Sequence, residues 1–131
     1  IGSDQVCHIE GQILGKSHTL VGAEQQLSML QGRIHELITS YAIIDGTKEI
    51  VRTNITKLKM RDLNASQIKN YLSTDNPIDC AGAYKLELNG ISLMEYIETT
   101  DQTAIVGLPL IQLTNDLNIC GVVVPPEHQG E

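Results

Sequence analysis

Two long apolar runs flank the turn tripeptide Asp45-Gly46-Thr47, and this arrangement limits the fold more than any other feature. Residues 34–44, ending in HELITSYAII, and residues 50–60 each carry apolar residues at roughly every second position, the second less regularly. Period-two patterning on both sides of a turn signal predicts an antiparallel pair of long strands. Residues 1–16, IGSDQVCHIEGQILGK, predict a second hairpin that begins inside a strand and turns at Glu10-Gly11. A two-residue turn there, with Gly11 at positive φ, sets Gln5 opposite Lys16 and Asp4 beside Ser17. A carboxylate, an amide and an ammonium then meet at one sheet end. Such a trio suits a polyphosphate: Lys16 supplies positive charge, Asp4 takes a proton or holds a divalent cation, and Gln5 offers donor and acceptor. The plainer alternative is an exposed pair across a hairpin, which contributes little.

Helical spacing appears elsewhere. Thr19 is placed to cap a helix over residues 21–30, with Ala23, Leu27 and Leu30 on one stripe and Gly32 closing it. Asn64 with Gln67 three residues on forms a capping-box variant, opening a short helix that carries Ile68, Tyr71 and Leu72 and stops at Asp75-Asn76-Pro77. In Cys80–Gly90, CAGAYKLELNG, small residues allow close backbone approach, and Lys85 and Glu87 alternate with apolar neighbours as on one face of a strand. Residues 91–97 fit helix and strand equally. Gly107-Leu108-Pro109 introduces a last helix over residues 110–117, and residues 125–131 read as a loose tail. The expectation is a single domain over residues 1–124.

The 131 residues are enough for one domain with a real core, and the apolar fraction is 41%. Aromatics make up only 3%, with no Trp or Phe, so Leu, Ile, Val, Ala and Met must build that core. A net charge of -7 and the lack of a basic patch argue against a nucleic-acid or anionic-membrane binder, but leave room for a nucleotide site with local cations. Cys7, Cys80 and Cys120 include no CxxC pair and read as reduced thiols in a cytoplasm. No apolar run reaches the length of a membrane span.

Other patterns fail. Gly11, Gly15, Lys16 and Ser17 imitate a phosphate-binding P-loop, but three residues separate the glycines where four are needed, and Gln12-Ile13-Leu14 reads as strand. His8, His18, His35 and His128 lack metal-ligand spacing and read as surface or packing residues. Cys80 has no histidine near it in sequence to activate it, so a buried small hydrophobe is preferred over a nucleophile.

SDQ at residues 3–5, GK at 15–16, LQGR at 30–33 followed by His35, T-x-L-x-M-R ending at Arg61, NP-x-D-CAGAY at 76–84 and GLP at 107–109 occur together in one order. In that order the chain resembles the Maf family of nucleoside triphosphate pyrophosphatases. Gln5, Cys80 and Glu87, where other members have Thr, Lys and Gln, resemble the branch that hydrolyses 7-methyl-GTP. The resemblance implies an α/β fold, a mixed twisted sheet flanked by helices, in two lobes with a groove between them. It implies hydrolysis between the α and β phosphates with a divalent cation, Mg2+ or Mn2+, and often a homodimer. Asp4 matches the proton acceptor and metal ligand, Lys16 a phosphate-binding lysine, and Gln5 and Glu87 base-selecting positions. Cys80, Gly82 and Lys85 fall in the same substrate-binding region. Without a Lys at position 80, nothing there opposes a cationic base.

The chain departs from the family in several places. The arginine segment S-x-S-P-R-R does not occur in the 131 residues, so the expectation is a chain beginning partway through the fold. Ser17 stands where Pro is usual, Leu88-Asn89 replaces a Gly-containing turn, and the TTDQTA loop is one residue longer. A noncatalytic nucleotide-binding or septum-related regulatory protein of the same fold is the alternative these departures leave.

Overall fold

The computed structural model describes residues 1–127; His128 and the rest of the expected tail lie outside the described residues. The first hairpin forms as expected. Strand β1 (Gly2–Ile9) turns through Glu10 (φ 46°) and Gly11 (φ 80°) into β2 (Gln12–Leu14), with Ile9 opposite Gln12. Positive φ at both central residues matches the twist of the flanking strands, and Gly11 adopts it without steric cost. The long hairpin joins β3 (Ile34–Asp45) to β4 (Lys48–Met60), pairing without interruption from Ile34–Lys59 to Asp45–Lys48. With β5 (Met94–Glu98) these strands make one sheet of order β2-β1-β3-β4-β5.

Every described strand pair is antiparallel, so the parallel neighbours of a mixed sheet are not found among the described residues. The α/β character of the expectation holds. Helix α1 (Leu20–Leu30) starts where Thr19 accepts the Gly22 N–H, and buries Ala23, Leu27 and Leu30. Helix α2 (Ala65–Asp75) carries the full capping box between Asn64 and Gln67 and ends at Asn76 in the left-handed conformation. Helix α3 (Leu110–Ile119) follows Pro109 and runs two residues past its expected end. The ambiguous stretch resolves into a 3-10 turn, Asn89–Leu93, and then β5.

Alternation along β3 places His35, Leu37, Thr39, Tyr41 and Ile43 on one face, all buried. Near one end of that face, Leu37, Leu58, Met60, Cys7 and Ile9 form the main core with α1 and α2. Near the other end, Tyr41 and Ile43 pack with Leu113 of α3. Asp116 of α3 accepts hydrogen bonds from the Tyr41 hydroxyl and from Arg52, fastening the helix to β3 and β4. All three helices therefore cover one face, at its two ends. Between the ends the face is polar, with Gln5, Thr39 and Asn54 in adjacent register. Of that stripe, Gln5 lines the cavity described below, and Thr39 and Asn54 are buried.

Candidate active site

The register of the first hairpin would place Gln5 opposite Lys16, but pairing stops at Cys7–Leu14. Gln5 pairs instead with Thr39 on β3. Lys16 leaves the sheet and forms an isolated bridge with Ala81, continued by the His18 N–H donating to the Ile78 carbonyl at 2.8 Å. This second pairing carries residues 16–18 alongside 78–81 and so brings Lys16 to Cys80. The short β2 also leaves the edge of β1 uncovered. Asp4 alternates to the face opposite Gln5, yet lines the same cavity at that open edge, its Oδ1 accepting the Gln5 N–H at 2.9 Å.

The cavity has a volume of about 310 Å3 and is lined by Asp4, Gln5, Lys16, Cys80 and Glu87, residues up to 83 positions apart in the chain. Asp79, Tyr84 and residues 105–107 also line it. Of the residues expected at a substrate site, Gly82 and Lys85 do not line it. Lys85 pairs with Asp79 at 3.8 Å and gives its backbone N–H to the Tyr71 hydroxyl at 2.8 Å. Gly82, at φ 81°, sits behind the wall, where a Cβ would lie 3.0 Å from the Tyr84 ring and 3.3 Å from the Cys7 sulfur. Gly82→Ala is therefore expected to cost about 1–3 kcal/mol of stability from backbone strain and crowding, read as a lower urea midpoint. An unchanged midpoint would show that the loop relaxes freely.

Residues 80–90 do not form the expected strand. Gly82 and Ala83 both take positive φ, and the N–H groups of Leu88 and Gly90 fold back onto the Lys85 carbonyl at 3.1 and 2.9 Å. A Cβ at Gly90 would lie 2.5 Å from that carbonyl oxygen, so only glycine permits the closure. Helix α2 holds this loop. The Asp75 carboxylate accepts the Asn89 backbone N–H at 2.9 Å and side-chain amide at 2.7 Å. Burial raises the Asp75 pKa, but those bonds outweigh it and keep it below the usual carboxylate value. The exposed Glu87 is thereby held at the cavity mouth.

The thiol reading of Cys80 gains nothing from its surroundings. Partial burial raises its pKa and the neighbouring Asp79 raises it further, which disfavours thiolate. Cys80 is half-buried, a wall residue, whereas the fully buried small hydrophobe is Cys7, pushed up to about 12 by burial. Asp79 was not singled out by sequence reasoning, although it stands within the NP-x-D-CAGAY run. Among the described residues no group of three His, Cys, Asp or Glu gathers as a metal cluster. Three carboxylates, Asp4, Asp79 and Glu87, share the cavity with one ammonium, Lys16. Among the described residues the carboxylates lining the cavity outnumber its one ammonium, so a triphosphate held there needs positive charge beyond that of Lys16.

Comparison with known proteins matches the sequence to a family. The model of the family described as Maf-like protein matches residues 1–119. A protein of Bdellovibrio bacteriovorus named 7-methyl-GTP pyrophosphatase is 50% identical over 113 residues, covering 86% of this chain and 60% of that protein. Proteins with the same name from Xanthomonas oryzae pv. oryzae and Syntrophotalea carbinolica are 40% and 39% identical, each covering 95% of this chain and 66% and 64% of their own lengths. The chain thus spans between 60% and 66% of these curated relatives. The motifs that converge on the cavity, from SDQ through CAGAY to GLP, all lie inside the matched region, and the chain belongs to the Maf-like protein family.

Proposed function

We propose that this protein is a nucleoside triphosphate pyrophosphatase that hydrolyses a modified purine nucleotide such as 7-methyl-GTP, releasing the monophosphate and pyrophosphate and so clearing it from the nucleotide pool. The carrying observation is the convergence of Asp4, Gln5, Lys16, Cys80 and Glu87 on one cavity. The shared name of the relatives supports the same substrate. Three free cysteines among the described residues fit a reducing compartment, the cytoplasm.

Asp4 takes the proton of a water as its oxygen attacks the α phosphorus. The bond from that phosphorus to the bridging oxygen breaks, and pyrophosphate carries away the electron pair. Lys16 offsets charge on the phosphates. A divalent cation, when bound, offsets the remaining charge on the phosphates and the leaving group. Asp4 is the residue that would hold such a cation, through one carboxylate, which fits a hard cation that is held partly by its substrate.

Glu87 accepts from the N1 and N2 donors of a guanine and favours the positive charge of a 7-methylated ring. Cys80 adds no opposing cation. Glu87→Gln is expected to lower the preference for 7-methyl-GTP over UTP by about tenfold or more, the worth of a hydrogen bond to a charged group. The kcat/KM ratio of the two nucleotides measures it, and an unchanged ratio removes Glu87 from base selection.

A further inference from the structure

Gln5 is the cavity residue whose hydrogen bonding leaves it the least freedom. Its Nε2 donates to the Ala104 carbonyl at 2.8 Å and to the Thr39 hydroxyl at 2.9 Å. A carbonyl oxygen only accepts, so the amide must be oriented with NH2 toward Ala104. Both amide protons are then used within the protein. What Gln5 offers to a ligand is its Oε1 alone, an acceptor.

Ala104 owes its position to Asp101. The second 3-10 turn, Gln102–Val106, begins where Asp101 Oδ1 accepts the Thr103 N–H at 3.1 Å and the Thr103 hydroxyl at 2.5 Å. The other oxygen, Oδ2, accepts the Gln112 N–H of α3 at 3.1 Å. The Thr103 hydroxyl in turn accepts the Leu110 N–H at 2.7 Å. Asp101 is 4% exposed, and neither it nor Thr103 lines the cavity. One buried carboxylate and one hydroxyl thus tie the 3-10 turn to the start of α3 and hold the Ala104 carbonyl against Gln5.

We infer that Asp101 and Thr103 are positioning residues that fix the Gln5 amide with its oxygen toward the substrate, so that position 5 accepts from a hydrogen-bond donor on the base and rejects an acceptor there. The inference deepens the pyrophosphatase reading and rests on it for its substrates. Guanine presents three donor protons on N1 and N2, one more than Glu87 takes up, whereas adenine presents an acceptor at N1 and only a C–H at position 2. A fixed acceptor therefore favours guanine, whereas an amide free to rotate presents NH2 to adenine equally well. Thr103→Val keeps the shape of the side chain but removes both hydroxyl bonds. Thr103→Ser restores both.

The experiment has a spectroscopic arm and a kinetic arm, both on the full-length protein. In 15N-glutamine-labelled wild type, the Gln5 side-chain protons, assigned with Gln5→Met, are expected to exchange more slowly than those of an exposed glutamine. They should lose that protection in Thr103→Val and keep it in Thr103→Ser. The kcat/KM ratio of 7-methyl-GTP to ATP is expected to fall about tenfold in Thr103→Val, the worth of one hydrogen bond, and to recover in Thr103→Ser. Asp101→Asn, which sets an NH2 against N–H donors, gives the same two changes and serves if the valine variant does not fold. Rapid exchange in the wild type overturns the clamp. Lost protection with an unchanged ratio, or an equal fall for both nucleotides, overturns the specificity role. A protected Gln5 in a wild type that hydrolyses neither nucleotide leaves the clamp standing and overturns the pyrophosphatase reading, together with the substrate role built on it.

Discussion

Asp4→Asn is expected to lower kcat for 7-methyl-GTP by about 10^2- to 10^4-fold, the usual contribution of a positioned general base. The asparagine has the same shape and still accepts the Gln5 N–H, so the geometry of the β1 edge survives. On the proposed reading Lys16 still meets the phosphates and Gln5 and Glu87 the base, so nucleotide affinity measured without divalent cation is expected to change by no more than about threefold, under 1 kcal/mol. Loss confined to kcat identifies Asp4 as acting on the reacting water. Comparable loss of affinity would instead make it a ligand-holding residue, and full activity would remove it from the chemistry.

Acidification is expected to destabilise the fold through His35, in a window set apart from the carboxylates. The ring is 1% exposed; its Nε2 meets the Tyr84 hydroxyl at 2.8 Å, and its Nδ1 has no hydrogen-bond partner. Burial lowers its pKa to about 4. The unfolded chain protonates this histidine near 6.5, whereas the folded protein does so only near 4. Between those values the unfolded state binds the extra proton, so stability is complete above 6.5 and falls as pH drops toward 4. The loss amounts to about 3 kcal/mol. Asp75, Asp101 and Asp116, whose pKa values are all lowered, give up their contributions further down, as pH falls through the ordinary carboxylate range and below. Urea midpoints of wild type and His35→Gln at pH 7 and 5 separate the two effects. The variant should lose most of the slope between these pH values; an equal slope in both proteins would place the titration elsewhere.

How much could be read beforehand depended on how local each signal was. The turns at Glu10-Gly11 and within Asp45-Gly46-Thr47, the Thr19 cap and the Asn64–Gln67 box are settled within a few residues, and the structure reproduces them. The loop at 80–90 misled because Lys85 and Glu87 imitate strand alternation. Its shape is set by positive φ at Gly82 and Ala83 and by Gly90 lying against Lys85. The pairing of Lys16 with Ala81 joins segments far apart in sequence, and no local pattern announces it. The hairpin register suggested the nearness of Asp4, Gln5 and Lys16, although the observed pairing reaches it by a different path. The substrate-site roles of Cys80 and Glu87 entered only through the family resemblance. The Asp101–Thr103 clamp left a signal, an Asp-x-Thr cap ahead of GLP, too short to stand out from ordinary turn chemistry.

On the proposed reading, the cavity around Asp4 hydrolyses a nucleoside triphosphate at the α phosphate and favours a 7-methylated guanine. Pyrophosphate release by the full-length protein with Mg2+, from 7-methyl-GTP, GTP, dTTP and UTP in parallel, tests it most directly. Pyrophosphate release is expected, fastest from 7-methyl-GTP and lowered by about 10^2- to 10^4-fold in Asp4→Asn. Nucleotide binding without release from any of the four would contradict it and leave a noncatalytic nucleotide-binding protein of the same fold.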